Sequence, residues 1–131
     1  MTQEQLTKKS FTMIVDDEAD ISKVFSEHLT RSGFNVHSFS NPLMAYEHFK
    51  YSPQDCSLVI SDVRMPGMTG FQLARKVKEL NPNVKVILIS AFEIRKEELE
   101  MTLPNAQVDG FLTKPVTLKN LSELVEKELS A

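Results

Sequence analysis

Five polar side chains follow directly after short apolar runs, at positions where strands of a sheet would end. They are Asp16, Asp17, Asp62, Ser90 and Lys114. Carboxylates that lie close together raise one another's pKa, so three of them need positive charge nearby. A divalent cation and an ammonium supply that charge, and hard oxygen ligands select Mg²⁺ or a similar ion. The set would suit transfer of a phosphoryl group to a carboxylate, with metal, hydroxyl and ammonium sharing its terminal oxygens.

The elements that must bring these residues together alternate between strand-like and helix-like patterns. Strands are predicted over residues 11–15, 34–39, 58–61, 84–89 and 111–113. Helices are predicted over 21–29, after the Asn41-Pro42 cap, and over 73–80, 94–103 and 118–129. Parallel strands joined by right-handed helical crossovers form a sheet that is covered on both faces. We therefore predict an α/β, doubly wound, flavodoxin-like sheet of five parallel strands in the order 2-1-3-4-5, with five helices.

The joint placement of the polar residues matters more than any one of them. An Asp-Asp pair after a strand is more often a turn or a cap than a metal site, and a Lys-Pro pair is usually a loop. In a doubly wound sheet, however, ligands bind at the carboxyl ends of the strands. Because all five residues follow such ends, we expect them to form one site.

Length and composition limit the class of protein. The chain has 131 residues, of which 41% are hydrophobic and 25% are charged, as in one ordinary globular domain. Residues 1–9 are predicted to be a flexible lead, followed by the domain over 10–131. Lys and Arg total 15 against 18 Asp and Glu, so this balance does not favour the basic stripe of a nucleic-acid binder. We therefore expect no nucleic acid as a direct partner. Cys56 is the single cysteine, which excludes an intramolecular disulfide and a four-cysteine zinc site.

The sequence gives no sign of a membrane segment. The longest uninterrupted apolar run covers residues 86–89, far short of the ~20 residues that span a bilayer. The N-terminus lacks the apolar core of a signal peptide. We therefore expect a cytoplasmic protein with no membrane contact.

Four segments in the right order resemble the response regulator receiver domain of the CheY-like type. They are IVDDE (14–18), SDVRMPGMTGFQLA (61–74), VILISA (86–91) and GFLTKP (110–115). The resemblance covers residues 10–129 and implies that residues 10–131 form a receiver domain. It implies a CheY-like fold and a role in a two-component phosphorelay. It also implies that the chain is no enzyme beyond catalysing its own aspartyl phosphorylation and dephosphorylation.

The resemblance assigns the acidic residues to an acceptor and a metal site. It implies that Asp62 accepts the phosphoryl group and also contacts the metal. It implies that Asp17 binds Mg²⁺ directly and that Asp16 acts largely through water. The main-chain carbonyl of Arg64 is then a further protein ligand. Mn²⁺ is a possible substitute for Mg²⁺.

The other motif residues are implied to bind the phosphoryl group and to respond to it. Ser90 and Lys114 would bind its oxygens, and the peptide bond between Lys114 and Pro115 would be cis. Ser90 would be drawn toward the phosphoryl oxygens, and Phe111 could then fill the space behind it. This would repack the surface formed by the helix near 94–103, the fifth strand and the last helix, and so control a partner or output.

Two further positions bear on the lifetime of the phosphorylated state. Arg64 follows Asp62 by two residues, and Phe92 follows Ser90 by two. In receivers these side chains flank the path of the attacking water. We hypothesise that a long Arg and an apolar Phe hinder that water; the alternative is that Phe92 merely rests on the surface.

The resemblance also implies partners. A sensor histidine kinase or a histidine phosphotransfer protein would donate the phosphoryl group, and an unidentified downstream protein would receive the signal. The chain would be a monomer or a phosphorylation-promoted dimer. Whether it stands alone or is one domain of a longer protein is left open.

Other readings of the same residues are weaker. A phosphohydrolase of the haloacid-dehalogenase type needs Asp-x-Asp after its first strand, and Glu18 stands where the second Asp is required. Neither a Walker A pattern nor a Gly-x-Gly-x-x-Gly occurs. A receiver-like fold that acts without phosphorylation is the third alternative. His28, His37 and His48 lack metal-ligand spacing, and Cys56 is expected to be a small packed residue.

Overall fold

A computed structural model of the chain describes residues 10–91 and 108–130. Its strands are β1 (Phe11–Val15), β2 (Val36–Phe39), β3 (Cys56–Asp62), β4 (Lys85–Ser90) and β5 (Gly110–Thr113). Its helices within these ranges are α1 (Ala19–Arg31), α2 (Pro42–Tyr51), α3 (Gly70–Leu80) and α4 (Leu118–Ser130), with a 3-10 turn at Pro53–Asp55. The helix predicted over 94–103 lies outside the described residues.

The strands form one parallel sheet in the order β2-β1-β3-β4-β5. This confirms the predicted topology. Ile14 pairs with Ile60, Ile60 with Ile87, and Ile87 with Gly110, so the register runs level across the central strands. The carboxyl ends of β1, β3, β4 and β5 therefore meet at one edge of the sheet.

Within the described residues, each face of the sheet packs against two helices. One layer joins alternate strand residues such as Met13, Val59 and Leu88 to α2 and α3. The other joins Ile14, Ile60 and Ile87 to α1 and α4. Burial of each such aliphatic side chain contributes about 1.5–3 kcal/mol relative to exposure. These two layers give the central strands their nearly continuous apolar character.

The second strand is shorter than predicted. It starts at Val36: Phe34 still bonds back to α1, whereas the Asn35 carbonyl accepts from the Thr12 N–H of β1 at 2.8 Å. Gly33 has a φ of +100° and its N–H donates to the Thr30 carbonyl, while the Phe34 N–H donates to the Leu29 carbonyl at 3.1 Å. Apolar character at Phe34 thus reflects packing against the α1–α4 layer and not strand pairing.

The Asn41-Pro42 cap is confirmed. The Asn41 side chain accepts hydrogen bonds from the N–H groups of Leu43 at 2.8 Å and Met44 at 3.3 Å, and Pro42 opens α2. The longest helices of the described ranges have 13 residues and amphipathic sequences, which falls short of what a bilayer crossing requires.

Candidate functional site

Three carboxylates converge at the carboxyl edge of the sheet. Asp16 and Asp17 follow β1, and Asp62 is the last residue of the neighbouring strand β3. One oxygen from each lies within 4.8 Å of the other two. Asp16 and Asp62 are buried, whereas Asp17 is exposed. The level register of β1 and β3 is the reason that two residues 46 positions apart meet here.

The Asp16 carboxylate is oriented by its own turn. Its Oδ1 accepts a hydrogen bond from the Glu18 N–H at 2.9 Å, and its main-chain N–H donates to the Phe39 carbonyl at 3.1 Å. Burial raises the pKa of Asp16 above its ordinary value, against the lowering effect of the Glu18 N–H and of Lys114. The metal-free site therefore holds Asp16 at an energetic cost that a bound cation would offset.

Asp62 is held in the same way from the other strand. Its Oδ1 accepts from the Val63 N–H at 3.0 Å, which leaves Oδ2 facing Lys114. Burial is the main cause that raises the pKa of Asp62, and the charges of Asp16 and Asp17 add to it. Asp62 is thus a buried carboxylate with one oxygen fixed and the other directed at an ammonium.

Lys114 supplies the ammonium of the site. It directly follows β5, where its main-chain N–H donates to the Ser90 carbonyl at 2.7 Å, and its bond to Pro115 is cis. Its Nζ lies 3.5 Å from Asp16 Oδ2 and 3.6 Å from Asp62 Oδ2. Burial disfavours the ammonium, but the surrounding carboxylates outweigh it, so the pKa of Lys114 is raised.

Glu18 is a fourth carboxylate at the site, and the sequence patterns give it no role there. Its Oε1 lies 3.5 Å from Lys114 Nζ, on the side of α1. Together with Asp16, Asp17 and Asp62 it makes four carboxylates at the site, and three of them lie 3.5 to 3.6 Å from Lys114 Nζ. Hard oxygen donors of this kind fit a divalent cation such as Mg²⁺.

Ser90 and Phe111 lie on the same face of the sheet, on the neighbouring strands β4 and β5. Ser90 ends β4, is buried, and pairs with Thr113, two residues beyond Phe111. The Phe111 ring is half-buried and packs toward α3, with its centroid 6.3 Å from that of Phe71. The two residues of the predicted switch therefore share one face of the sheet.

Of the two residues predicted to affect the lifetime of the phosphorylated state, only Arg64 lies within the described residues. Arg64 lies just beyond β3 with an exposed side chain, on the loop that leads to α3. Phe92 lies outside the described residues. Arg64 is thus near the end of the strand that carries Asp62.

The histidines and the cysteine lie away from this edge. Burial raises the pKa of Cys56 to about 12, and the side chain is 2% exposed, as expected for a packed thiol. His28 Nε2 is 2.6 Å from the Ser122 hydroxyl and joins α1 to α4. His37 Nδ1 and His48 Nε2 are 2.8 Å apart, a pairing of β2 with α2 that residue spacing does not reveal.

Comparison with known proteins gives a consistent result. Residues 12–126 match the response regulator receiver domain family. The response regulator receiver protein CpdR of Brucella abortus is 32% identical over 120 residues, which cover 91% of this chain and 96% of CpdR. The autoinducer 1 sensor kinase/phosphatase LuxN of Vibrio campbellii is 32% identical over 122 residues, covering 92% of this chain but 14% of LuxN.

A solved structure of a similar protein contains Mg²⁺ and BeF. The response regulator protein TrrA of Thermotoga maritima, in complex with Mg²⁺-BeF, shares 26% identity and superimposes with a TM-score of 0.78. The match covers 91% of this chain and 98% of the TrrA chain. The sequence of the present chain thus spans nearly the whole of two relatives and a small part of LuxN.

Proposed function

This chain belongs to the response regulator receiver domain family of two-component signalling, and we propose that Asp62 is the residue on which it accepts a phosphoryl group. The observation that carries the proposal is the position of the Asp62 carboxylate. One of its oxygens is fixed by the Val63 N–H, and the other lies 3.6 Å from Lys114 Nζ. The carboxylates of Asp16 and Asp17 also lie close to it.

The proposed reaction needs little covalent chemistry from the protein beyond the nucleophile. An Asp62 carboxylate oxygen attacks phosphorus, the P–N bond of a phosphohistidine breaks, and the imidazole leaves with a proton from solvent. Lys114 balances charge on the phosphoryl oxygens, and the Ser90 hydroxyl donates to one of them. Hydrolysis of the acyl phosphate by water restores the carboxylate. Catalysis is limited to this phosphorylation and dephosphorylation of the chain itself.

The metal in this proposal is Mg²⁺, with Mn²⁺ as a substitute. Asp16, Asp17, Asp62 and the main-chain carbonyl of Arg64 would hold it. When bound, the cation supplies positive charge for the phosphoryl oxygens. The raised pKa values of the two buried carboxylates support this assignment, because burial disfavours their ionised forms and a bound cation would favour them.

The output follows from a local change of charge. Phosphorylation converts the single negative charge of Asp62 into a group of about −2 with three acceptor oxygens. Ser90 moves toward those oxygens, and Phe111 fills the space that it leaves. The consequence is a changed surface over residues 94–103, β5 and α4, which a downstream protein reads.

The partners and surroundings of the chain are also proposed. The donor is a sensor histidine kinase or a histidine phosphotransfer protein; the family membership and the match to the sensor kinase/phosphatase LuxN support this class. The receiver unit is 10–131, with 1–9 as a lead, in a monomer or a phosphorylation-promoted dimer. It acts in the cytoplasm, and neither nucleic acid nor membrane is a direct partner.

Arg64 and Phe92 lengthen the phosphorylated lifetime, and alanine at either position shortens the half-life.

The first experiment is intact-mass analysis after incubation with Mg²⁺ and acetyl phosphate. We expect a single labile phosphoryl adduct that requires Mg²⁺ and is lost in Asp62→Asn. Asp55→Asn is the matched control, because Asp55 is an exposed carboxylate of the 3-10 turn. If the folded wild type forms no adduct and beryllofluoride causes no spectral change, a receiver-like module that acts without phosphorylation becomes the better explanation.

A further inference from the structure

We propose that Glu18 is a positioning residue for Lys114, holding the ammonium in line with Asp62 without contacting the phosphoryl group itself. This inference rests on the proposed function, because it concerns the reaction at Asp62. Three carboxylate oxygens surround Lys114 Nζ: that of Glu18 lies at 3.5 Å, that of Asp16 at 3.5 Å and that of Asp62 at 3.6 Å.

Glu18 is itself held in place at the start of α1. Its main-chain N–H donates to Asp16 Oδ1 at 2.9 Å, and its carbonyl accepts from the N–H groups of Ile21 and Ser22 at 3.1 Å. Its side chain therefore begins from a fixed point next to the metal-binding carboxylates. The Lys114 side chain is 17% exposed and that of Glu18 62%, so the pair lies at the solvent boundary of the site.

The number of N–H donors on the ammonium explains how Glu18 could position Lys114. A lysine ammonium carries three N–H donors, and three carboxylates surround it here. When Asp62 becomes an acyl phosphate, Asp16 and Glu18 can keep two donors while the third turns to a phosphoryl oxygen. Without Glu18, the flexible stem of Lys114 is held on one side only, and less of the population points at Asp62.

Simple charge effects predict the opposite result, which makes the idea testable. Acetyl phosphate is an anion, so removing any nearby negative charge favours its approach. Asp20 is the matched control, because it is an exposed carboxylate in the first turn of α1 and lines the same groove as Glu18 and Lys114. Among the described ion pairs, Lys114 is joined to Glu18 and not to Asp20.

The experiment compares initial rates of phosphorylation by acetyl phosphate in wild type, Glu18→Gln and Asp20→Asn, with Asp62→Asn as the blank. We expect Glu18→Gln to react about two- to five-fold more slowly than wild type, the range for a pair near the surface. Asp20→Asn should be unchanged or slightly faster. The deficit of Glu18→Gln should shrink as ionic strength rises, because exposed pairs are screened. Beryllofluoride affinity should fall by a similar factor.

A Lys114→Ala background isolates the positioning effect from a general loss of structure. There we expect Glu18→Gln and Asp20→Asn to bind beryllofluoride equally, since the group to be positioned is gone. A Glu18→Gln variant as fast as wild type, or as fast as Asp20→Asn, overturns the inference. So does an equal Glu18→Gln deficit with and without Lys114. Phosphorylation of the wild type with no adduct in Asp62→Asn would leave the proposed function standing in each of these cases.

Discussion

Gly70 approaches Asp62 so closely that a Cβ atom on Gly70 would lie 2.4 Å from the Asp62 main-chain carbonyl oxygen. The same Cβ would stand 3.1 Å from the Cα of Val63, so the obstacle is backbone on both counts. The Gly70 N–H also donates to the Val63 carbonyl at 2.8 Å. The start of α3 is thus seated directly on the end of the strand that carries the proposed acceptor.

Alanine at Gly70 should therefore damage both the fold and the site. Because backbone cannot move aside as a flexible side chain can, we expect Gly70→Ala to lower the free energy of unfolding by about 2–3 kcal/mol. The yield of phosphoryl adduct should fall with it. Urea unfolding and intact-mass analysis measure the two effects.

Gly33→Ala is the control for this substitution. Gly33 has a φ of +100° and no atom within 4 Å of an added Cβ, so only backbone strain of about 1–2 kcal/mol applies. Its adduct yield should match that of wild type. Equal stability and equal adduct yield in the two glycine variants would contradict the role given to the contact between Gly70 and Asp62.

The sheet and its acidic edge are predictable because they depend on local patterns. Asp62 follows an apolar run and so marks a strand end, and a doubly wound sheet brings such ends together. The close approach of Gly70 has no such signal, since it depends on how the loop after β3 returns. Pairs such as Asp109 with Lys78 and His37 with His48 are also invisible to periodicity, because they join elements through space.

Asp109 is the most connected of these unpredicted residues. Its Oδ2 accepts from Lys78 Nζ at 2.8 Å and from the Val86 N–H at 2.7 Å, joining α3, β4 and the start of β5. We expect Asp109→Ala to cost about 2 kcal/mol, because a half-buried ammonium and a backbone N–H lose a charged acceptor. Lys78→Met keeps the apolar stem and should cost less. A coupling energy near zero in the double-mutant cycle, measured by urea unfolding, would show that the pair does not stabilise the fold.

The Cys56 thiol should be unreactive toward thiol reagents in the folded protein. Burial raises its pKa to about 12, and the thiolate is the reactive form of cysteine. We expect a thiol reagent such as Ellman's reagent to label the native protein only at the rate of unfolding, and the urea-unfolded protein at once. Rapid labelling of the native protein, at a rate unaffected by a stabilising additive, would mean that Cys56 is accessible.

The pair of His37 and His48 predicts a loss of stability in mild acid. Burial, and then the charge of His48, lower the pKa of His37 below its ordinary 6.5. Between this lowered pKa and 6.5 the unfolded chain binds more protons than the folded protein. The contribution of His37 to the free energy of unfolding is therefore complete above pH 6.5 and is lost as the pH falls through the lowered pKa of the folded state. His37→Gln should reduce the decrease in unfolding free energy between about pH 7.5 and pH 5.5. An equal decrease in His37→Gln and wild type would exclude the pair as its source.

The last prediction concerns the cost of holding Asp62 without a metal. Its carboxylate is buried beside Asp16 and Asp17, and burial above all raises its pKa, so ionising Asp62 costs more in the folded protein than in the unfolded chain. Asp62→Asn exchanges that charge for a neutral amide of the same shape. In EDTA we therefore expect the variant to be more stable than wild type by about 1 kcal/mol in urea unfolding.

Added Mg²⁺ should reverse this order. A ligand that binds only the folded state at 100 times its Kd stabilises by about 2.7 kcal/mol, and wild type offers the complete set of carboxylates. Asp62→Asn lacks one of them and should gain much less, whereas Asp55→Asn, remote from the site, should respond as wild type does. A variant that is less stable than wild type in EDTA would mean that the Asp62 charge does not destabilise the metal-free protein. A variant that gains as much from Mg²⁺ as wild type would mean that Asp62 does not hold the cation. The expected reversal would instead trace both the cost of the metal-free site and the gain from metal to the one carboxylate proposed as the phosphoryl acceptor.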